Sequence, residues 1–327
     1  MLLDDWRFTD DVEDFLARAG DFLRSRPALH NTPLTDIEKL RARGAGAPGA
    51  GARGVEAGFF GVLESGGEVC AVFYRRPRGH VWITPLSAGR AEALVTRLAA
   101  GVDRFVSGVL GDHDTATAFA GAWQRHTGAV PVLFWRTHLY RLGSLTPPRP
   151  HPEGRGRIVG GRDRDQVVRW CREFCVDVGE QRSIDLIDAG SWDDSRFGDR
   201  HFTFWESPEG VPVSMAAVTS VVGGMVRVDP VYTPARLRGR GYAGAVTVEV
   251  SRAALAAGAR DVVLFTDPDN PTSNALYRRI GFGRVADFIG FDFCCSTPEA
   301  GEGHDGQKSH VPSAGRSERS WAGGAAS

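Results

Sequence analysis

The sequence predicts an α/β (α+β) fold, with a mixed central sheet flanked by helices, that is built twice along the chain. Residues 225–282 follow the order strand, glycine turn, helix, buried strand, turn and helix, which is typical of an α/β crossover unit. Residues 59–141 show a worn version of this order, with three strands, a helix, a strand, a helix and a strand. Residues 143–157 contain four prolines, which cannot enter a core element, so this run is predicted to link two domains.

Composition excludes several functional classes. The 327 residues are 42% hydrophobic and carry a net charge of −1, which allows two cores but gives no basic field for nucleic acid. The chain has no apolar run of the roughly 18 residues that a membrane span needs, and its start lacks the regions of a signal peptide. Its five cysteines lack the spacing of a disulfide or zinc framework. We therefore expect a cytoplasmic protein with no metal and with neither membrane nor nucleic-acid partners.

The first predicted domain covers residues 1–142. It opens with two helical patterns, 10–24 and 34–42. The glycine-rich run 44–54 lacks the Lys-Ser/Thr ending of a phosphate loop and follows no strand, so we expect a surface loop there. Later segments are predicted as strands at 59–63, 68–74, 80–84, 106–110 and 131–141, and as helices at 91–105 and 115–126.

The second predicted domain covers residues 158–295. It begins with a helix that Asp163 can cap, and the apolar stripe of this helix includes Cys171 and Cys175, which we predict to be buried thiols. Further strands are predicted at 201–205, 211–222, 225–233 and 262–265, with a strand pair in 285–293. Helices are predicted near 184–189, from the glycine turn at 236–241 to about 257, and over 272–280. Residues 296–327 are rich in Gly, Ser, Ala and charge, and we predict a disordered tail.

The glycine turn at 236–241 predicts an anion site. Gly239 and Gly241 have no Cβ, so their amides can approach a ligand closely and adopt positive φ. The helix that begins there leaves its first N–H groups unpaired, and its dipole adds about half a positive charge. Arg236, Arg238 and Arg240 add full charges beside those amides. A diphosphate is the ligand that this arrangement fits most simply.

One family that uses such a turn binds dinucleotides. Gly239-x-Gly241-x-x-Gly244 matches the G-x-G-x-x-G fingerprint. However, Thr233-Pro-Ala separates the preceding strand from the glycines, where the fingerprint needs a tight turn. The acidic residue expected about 20 positions later would be Asp261, which starts a strand instead of ending one. The pattern therefore disfavours a dinucleotide site.

A second family fits both this turn and a later motif. Arg236-Leu-Arg-Gly239-Arg-Gly241 is similar to Arg/Gln-x-x-Gly-x-Gly/Ala, and the segment from Asn270 to Phe282 is similar to Asn-x-x-Ala/Ser-x-x-Leu-Tyr-x-x-x-Gly-Phe. The two motifs occur in the right order, separated by a helix and a buried strand. On these residues the chain resembles the GCN5-related N-acetyltransferase (GNAT) family, in its FR47-like branch, over about residues 157–293. It departs from the resemblance at Asp229, where close relatives have a small residue.

The resemblance implies a GNAT fold in the C-terminal half and acetyl-coenzyme A as cosubstrate. The diphosphate is then expected on the glycine turn, and the pantetheine arm is expected to lie like an extra strand beside residues 225–233. The residues implied in cofactor binding are Val231, Thr233, Arg236, Arg238, Gly239, Gly241, Tyr242, Ala243 and Asn270. A backbone N–H near Val231 is implied to polarise the thioester carbonyl.

The resemblance also implies direct attack by the acceptor amine, with Tyr277 protonating the coenzyme A thiolate. A thiol pKa of about 8.5 and a phenol pKa of about 10 allow this transfer at neutral pH. The helices at the start of the domain are implied to border the acceptor pocket, so Glu173, Glu180, Arg182 and Asp185 become candidate acceptor contacts. Asp229, Glu173, Glu180 and water are all left open as the general base.

The N-terminal half is predicted to be a degenerate copy of the same fold without a cofactor site. At the position of the glycine turn it has only Ser87-Ala-Gly89-Arg90, and Trp123 stands roughly where the tyrosine would be. The expected function is an N-acetyltransferase acting on a small-molecule or peptide amine. Two alternatives stay open, an acyl-coenzyme A:amino-acid N-acyltransferase similar to the glycine N-acyltransferase branch, and a coenzyme A-binding regulatory protein without catalysis.

Overall fold

A computed structural model describes residues 5–45, 58–75, 79–101 and 106–294. In its N-terminal half the strands are β1 (Asp5–Thr9), β2 (Phe59–Ser65), β3 (Glu68–Arg75), β4 (Val81–Ile83), β5 (Gly108–Asp112) and β6 (Val130–Leu142). The helices of this half are α1 (Val12–Ser25), α2 (Asn31–Ala45), α3 (Ala88–Ala99) and α4 (His113–Thr127).

The C-terminal half repeats this order of elements. Its strands are β7 (Arg155–Ile158), β8 (His201–Glu206), β9 (Pro212–Val218), β10 (Met225–Tyr232), β11 (Asp261–Thr266) and β12 (Phe282–Cys294). Its helices are α5 (Arg164–Val178), α6 (Gln181–Asp188), α7 (Tyr242–Ala256) and α8 (Pro271–Arg279). The predicted α/β class, with a mixed sheet flanked by helices, is confirmed.

All twelve strands form one sheet in the order β1-β2-β3-β4-β5-β12-β6-β11-β10-β9-β8-β7. Each half contributes five strands in sequence order, and in each half only the fourth and fifth strands run parallel, as β4–β5 and β10–β11 do. A parallel pair needs a crossover connection, which α3 and α7 supply. The same topology therefore occurs twice.

The last strand of each half belongs to the sheet of the other half. β6 pairs with β11 through Arg141↔Val263 to His138↔Thr266, while β12 pairs with β5 through Asp292↔Gly108 to Phe288↔Asp112. In the centre β6 and β12 pair with each other along almost their whole length. The predicted linker 143–157 therefore connects the two halves along the chain. The strands of both halves belong to one continuous sheet.

The helices also pack across the two halves. α1 and α2 cover a cluster that includes Met225, Val263 and Phe265 of the C-terminal half. On the opposite face α7 and α8 cover their own strands, with Val246 and Tyr277 at the centre of that cluster. None of the helices in the described ranges is long and apolar enough to cross a membrane.

Several local predictions need correction. β1 and β7 were not predicted, and β12 is one long strand in place of a strand pair. Asp163 does not cap α5, because its carboxylate accepts from the Gly160 N–H and pairs with Arg157 at 2.8 Å. The glycine-rich run from residue 46 onward, the helix end at 102–105 and the tail 296–327 lie outside the described residues.

We expect that residues 143–327 expressed without 1–142 do not fold, because β11 loses the partner that β6 provides and β12 loses both of its partners. Exposed strand edges of this kind favour aggregation. The check is circular dichroism and gel filtration of this fragment, alone and after co-expression with 1–142. A cooperative thermal transition of the isolated fragment would show that its stability does not need the strand pairing with residues 1–142.

Candidate active site

An opening forms in the sheet where β10 and β11 separate. The two strands pair only from Met225↔Asp261 to Arg227↔Val263. Beyond that point β10 follows β9, with a bulge between Val228 and Val231, and β11 follows β6. A bulge increases the local twist and turns a strand away from its neighbour. One edge of β10 therefore faces a gap that an extended ligand can enter.

The glycine turn lies directly beyond the end of β10. Gly239 and Gly241 have φ of +74° and +81°, which explains why glycine occupies both positions. Gly241 is the N-cap of α7 and supplies no side-chain hydrogen bond, so the first N–H groups of the helix have no side-chain cap. A Cβ placed on Gly239 would meet no atom within 4 Å. The space beside Gly239 is therefore open.

The three arginines of the turn have different environments. Arg238 donates from Nε to the Thr233 carbonyl at 3.0 Å and pairs with Asp177 on α5, so its side chain fastens the turn to its surroundings. Arg236 and Arg240 are exposed. The positive charge predicted beside the amides is therefore available to a ligand only from Arg236 and Arg240. The guanidinium of Arg238 is already bound to protein groups.

The other residues predicted for cofactor binding lie on elements that border the opening. Val231 and Ala243 are buried, and Tyr242 is half-buried at the start of α7. Thr233 is buried and shares a hydrogen bond of 2.8 Å with Ser214 through its hydroxyl. Asn270 caps α8 by accepting from the Ser273 N–H at 3.0 Å. These contacts explain the local shape of the site, and the binding roles stay predictions.

Sequence analysis missed Asn274, which shapes the turn between β11 and α8. Its amide donates to the carbonyls of Asp267 and Asn270 at 2.8 and 2.7 Å, and its oxygen accepts from the Thr266 hydroxyl at 2.6 Å. A buried amide with its hydrogen bonds satisfied rigidifies its surroundings. Asn274 thus fixes the start of the helix that carries Tyr277.

Tyr277 is 1% exposed, and the edge of its ring packs against Phe282. Its phenol pKa is raised by burial and by the negative charge of Asp229. Among the described residues its hydroxyl has no hydrogen-bond partner, whereas the hydroxyls of Tyr74 and Tyr232 bind Asp36 and Glu173. The phenol therefore stays protonated at neutral pH, although the raised pKa makes it a weaker acid than a free phenol.

Asp229 belongs to a buried ion cluster that sequence analysis did not detect. Arg196 lies between Glu180, at 2.5 Å, and Asp229, and Arg200 approaches the same aspartate at 3.7 Å. Burial alone would raise the Asp229 pKa, but Arg196, Arg200 and Arg227 lower it. Arg196 and Arg200 lie in a loop without a recognisable motif, so no pattern in the sequence reveals this cluster.

The three carboxylates left open as general bases are all engaged by other side chains. Asp229 and Glu180 bind Arg196, and Glu173 accepts from the Tyr232 hydroxyl at 2.8 Å. The pKa of Asp229 is lowered by its arginine neighbours despite burial, which makes this carboxylate a weak base. Of the candidate acceptor contacts, Glu180 is buried here, while Arg182 and Asp185 are exposed on α6. The described residues hold no cluster of metal-ligating side chains.

We expect Asp229→Asn to destabilise the protein by about 3–5 kcal/mol, because it removes one partner of a buried pair. The Asp229 pKa is lowered in the fold, so the stability that it contributes is present above its unfolded pKa of about 3.9 and is lost as the pH falls below it. Urea unfolding between pH 3 and 7 measures both effects.

The matched control for this prediction is Asp188→Asn, which breaks an exposed pair with Arg172. Exposed pairs contribute little, so a much smaller loss is expected. Equal losses of unfolding free energy in the two variants would show that the buried cluster contributes no more to stability than an exposed ion pair.

In the corresponding region of the N-terminal half, a side chain bridges the segment after β4 and the start of α4. The Thr115 hydroxyl, on α4, accepts from the Leu86 N–H at 2.8 Å and donates to its carbonyl at 3.3 Å, which ties the end of β4 to α4. Gly89 lies inside α3 and forms no glycine turn. Trp123 is stacked between Phe119 and Phe293 as a core residue. The prediction that this half lacks a cofactor site stays a prediction, and these contacts give it a physical reason.

Comparison with known proteins finds a family match in the C-terminal half. Residues 165–282 match the model of the Acetyltransferase (GNAT) family. No curated protein matches the chain. A solved Drosophila protein is similar with a TM-score of 0.55 and 14% identity, over 90% of this chain and all of that one (100%).

Two further solved structures cover a similar share of the chain. An acetyltransferase of the GNAT family from Colwellia psychrerythraea has a TM-score of 0.50 and 10% identity, over 88% of this chain and 99% of that chain. A GCN5-related N-acetyltransferase from Sphaerobacter thermophilus has a TM-score of 0.49 and 19% identity, over 89% and 96%. At 14% and 10% identity, the similarity to the Drosophila and Colwellia structures speaks for the fold alone.

Proposed function

We propose that this chain, which carries a domain of the acetyltransferase (GNAT) family at residues 165–282, transfers an acetyl group from acetyl-coenzyme A to an amine. The observation that carries the proposal is the opening between β10 and β11, because the glycine turn and the helix that bears Tyr277 both begin at its edges. A phosphate site, a slot for an extended arm and a proton donor are the three parts that such a transfer needs.

The residues present fit the coenzyme. Open space above Gly239, uncapped amides at the start of α7 and the exposed charges of Arg236 and Arg240 suit a diphosphate. The separated edge of β10 from Val228 to Thr233 suits an arm that makes strand-like hydrogen bonds. The thioester supplies an activated acyl group when bound, and the chain binds it, orients it and protonates the leaving sulfur.

The chain then has two tasks, to orient the acyl carbonyl and to protonate the leaving sulfur. Backbone N–H groups at the β10 bulge, near Val231, are assigned the first, since a preorganised donor stabilises charge that develops on an oxygen. Tyr277 is assigned the second, since its buried phenol is protonated at neutral pH. Water takes the proton from the amine, because Asp229, Glu173 and Glu180 are engaged elsewhere.

The acceptor is assigned to the face of the sheet opposite α7 and α8, where both halves contribute side chains. Arg227 of β10 donates to Asn31 of α2 at 3.1 Å, and the indole of Trp135 on β6 packs against Phe265 of β11. All four of these side chains are buried, so on this face they join the two halves and do not themselves line the acceptor site.

The test combines calorimetry of coenzyme A binding with a free-thiol assay on a panel of amines. We expect one coenzyme per chain and thiol release that depends on the amine. Absence of coenzyme A binding would contradict the proposal outright. Binding without any thiol release above the buffer rate, for small amines and peptides alike, would instead favour the coenzyme A-binding protein without catalysis.

A further inference from the structure

The proline-rich segment between the two halves follows a fixed path across α7 and α8. Its start is held by hydrogen bonds of 3.0 Å from the N–H groups of Gly143 and Thr146 to the carbonyls of Gly281 and Ile280. Its end is held by the Trp205 indole, which donates to the Glu153 carbonyl at 3.1 Å. The segment is therefore anchored at both ends, and it lies against the C-terminal half.

Between these anchors the segment contacts the glycine turn region. A Cβ placed on Gly244 would lie 3.7 Å from Pro148, and one placed on Gly241 would lie 3.7 Å from Pro152. Gly241 and Gly244 bracket the first turn of α7. The residues between the two prolines therefore run beside the helix start to which the diphosphate is assigned.

Arg149 lies within this stretch, one residue after Pro148. Its side chain is exposed, and in the described part of the chain it forms no ion pair. Arg157, later in the same region, shows the opposite behaviour, because it binds both Asp163 and Glu206. Arg149 is thus an exposed charge without an ion-pair partner in the described residues, on the stretch that passes the start of α7.

The diphosphate is already assigned to the backbone amides and to Arg236 and Arg240, so the charge of Arg149 is free for another group. Coenzyme A carries a third phosphate, on the 3′ oxygen of its ribose, and an arginine fork matches the geometry of a phosphate. The prolines on both sides of Arg149 restrict the backbone that carries it, which lowers the entropy lost on binding.

We propose that Arg149 binds the ribose 3′-phosphate, so that the segment between the halves is itself part of the cofactor site. The inference rests on the proposed function. It makes Arg149 a specificity-determining residue that distinguishes coenzyme A from its 3′-dephospho form, and it gives the prolines the task of holding this arginine beside α7.

Calorimetry with coenzyme A and with 3′-dephospho-coenzyme A tests the inference without an activity assay. The full chain is expected to bind coenzyme A about tenfold more tightly, which is the effect of one charge-assisted hydrogen bond. Arg149→Gln is expected to lose most of that preference by weakening coenzyme A binding, with its affinity for the dephospho form unchanged. Arg149→Lys, which keeps the charge, should retain part of the preference.

The matched control is Arg155→Gln, which removes the same charge from the same segment at a residue that already faces Glu206 at 3.9 Å. It should leave both affinities unchanged. A preference that survives in Arg149→Gln, or that disappears in Arg240→Gln instead, would overturn the assignment to Arg149. If the full chain binds neither ligand, the proposed function itself fails, and this outcome is distinct from the loss of the preference alone.

Discussion

Tyr277→Phe is expected to lower kcat by a factor of about 10²–10⁴, the usual effect of removing a positioned proton donor. Phenylalanine keeps the ring that packs against Phe282 and deletes only the hydroxyl, so the fold and the coenzyme A affinity should be preserved. Because burial and Asp229 raise the phenol pKa, the loss of rate should be uniform from pH 6 to 9. Stopped-flow thiol release and thermal melting measure the two properties separately.

Tyr74→Phe is the control for this substitution. Tyr74 is also a buried tyrosine, but it lies in the N-terminal half, where its hydroxyl binds Asp36. It should lose stability with unchanged kcat. If Tyr277→Phe lowers kcat by less than about threefold when chemistry limits the rate, Tyr277 is not the acid, and water takes its place.

Replacing both Gly239 and Gly241 with valine is expected to weaken coenzyme A binding by at least about 100-fold. A Cβ on Gly239 meets no protein atom, so the new side chain would fill the space assigned to the diphosphate. Positive φ adds a strain of roughly 1–2 kcal/mol per residue. Calorimetry reports the affinity, and circular dichroism reports the fold.

The control for backbone strain alone is a variant in which Gly190 and Gly210 are both replaced with valine. Their φ values, +74° and +78°, match those of the turn, and a Cβ at either position also meets no atom within 4 Å. This control variant should lose similar stability and bind coenzyme A normally. Equal affinities of the two double variants would contradict the assignment of the diphosphate to the turn.

The sequence allowed much of the site to be predicted, because the features involved are local. Positive φ at Gly239 and Gly241 follows from a missing Cβ, and the start of α8 follows from the capping side chain of Asn270. The family motif spans the same segment and includes Tyr277, whose role stays a prediction. Each of these signals lies within a few residues of the structure that it specifies.

Pairing over long distances along the chain was not predictable in the same way. Nothing in the alternation of β6 says that it pairs with β11 and β12, more than 100 residues later. The short edge strands β1 and β7 have too few residues for a clear period. Arg196 meets Asp229 only because the loop after α6 folds over β10, and an arginine in a loop carries no such signal.

Hydrogen exchange of the full chain with and without coenzyme A tests most directly the claim that one cofactor site exists, in the opening between β10 and β11. The account predicts protection of amides at 231–243 and 270–277 on addition of coenzyme A, with no change at 84–90. Protection at 84–90, or saturating coenzyme A without protection at 238–243, would contradict it.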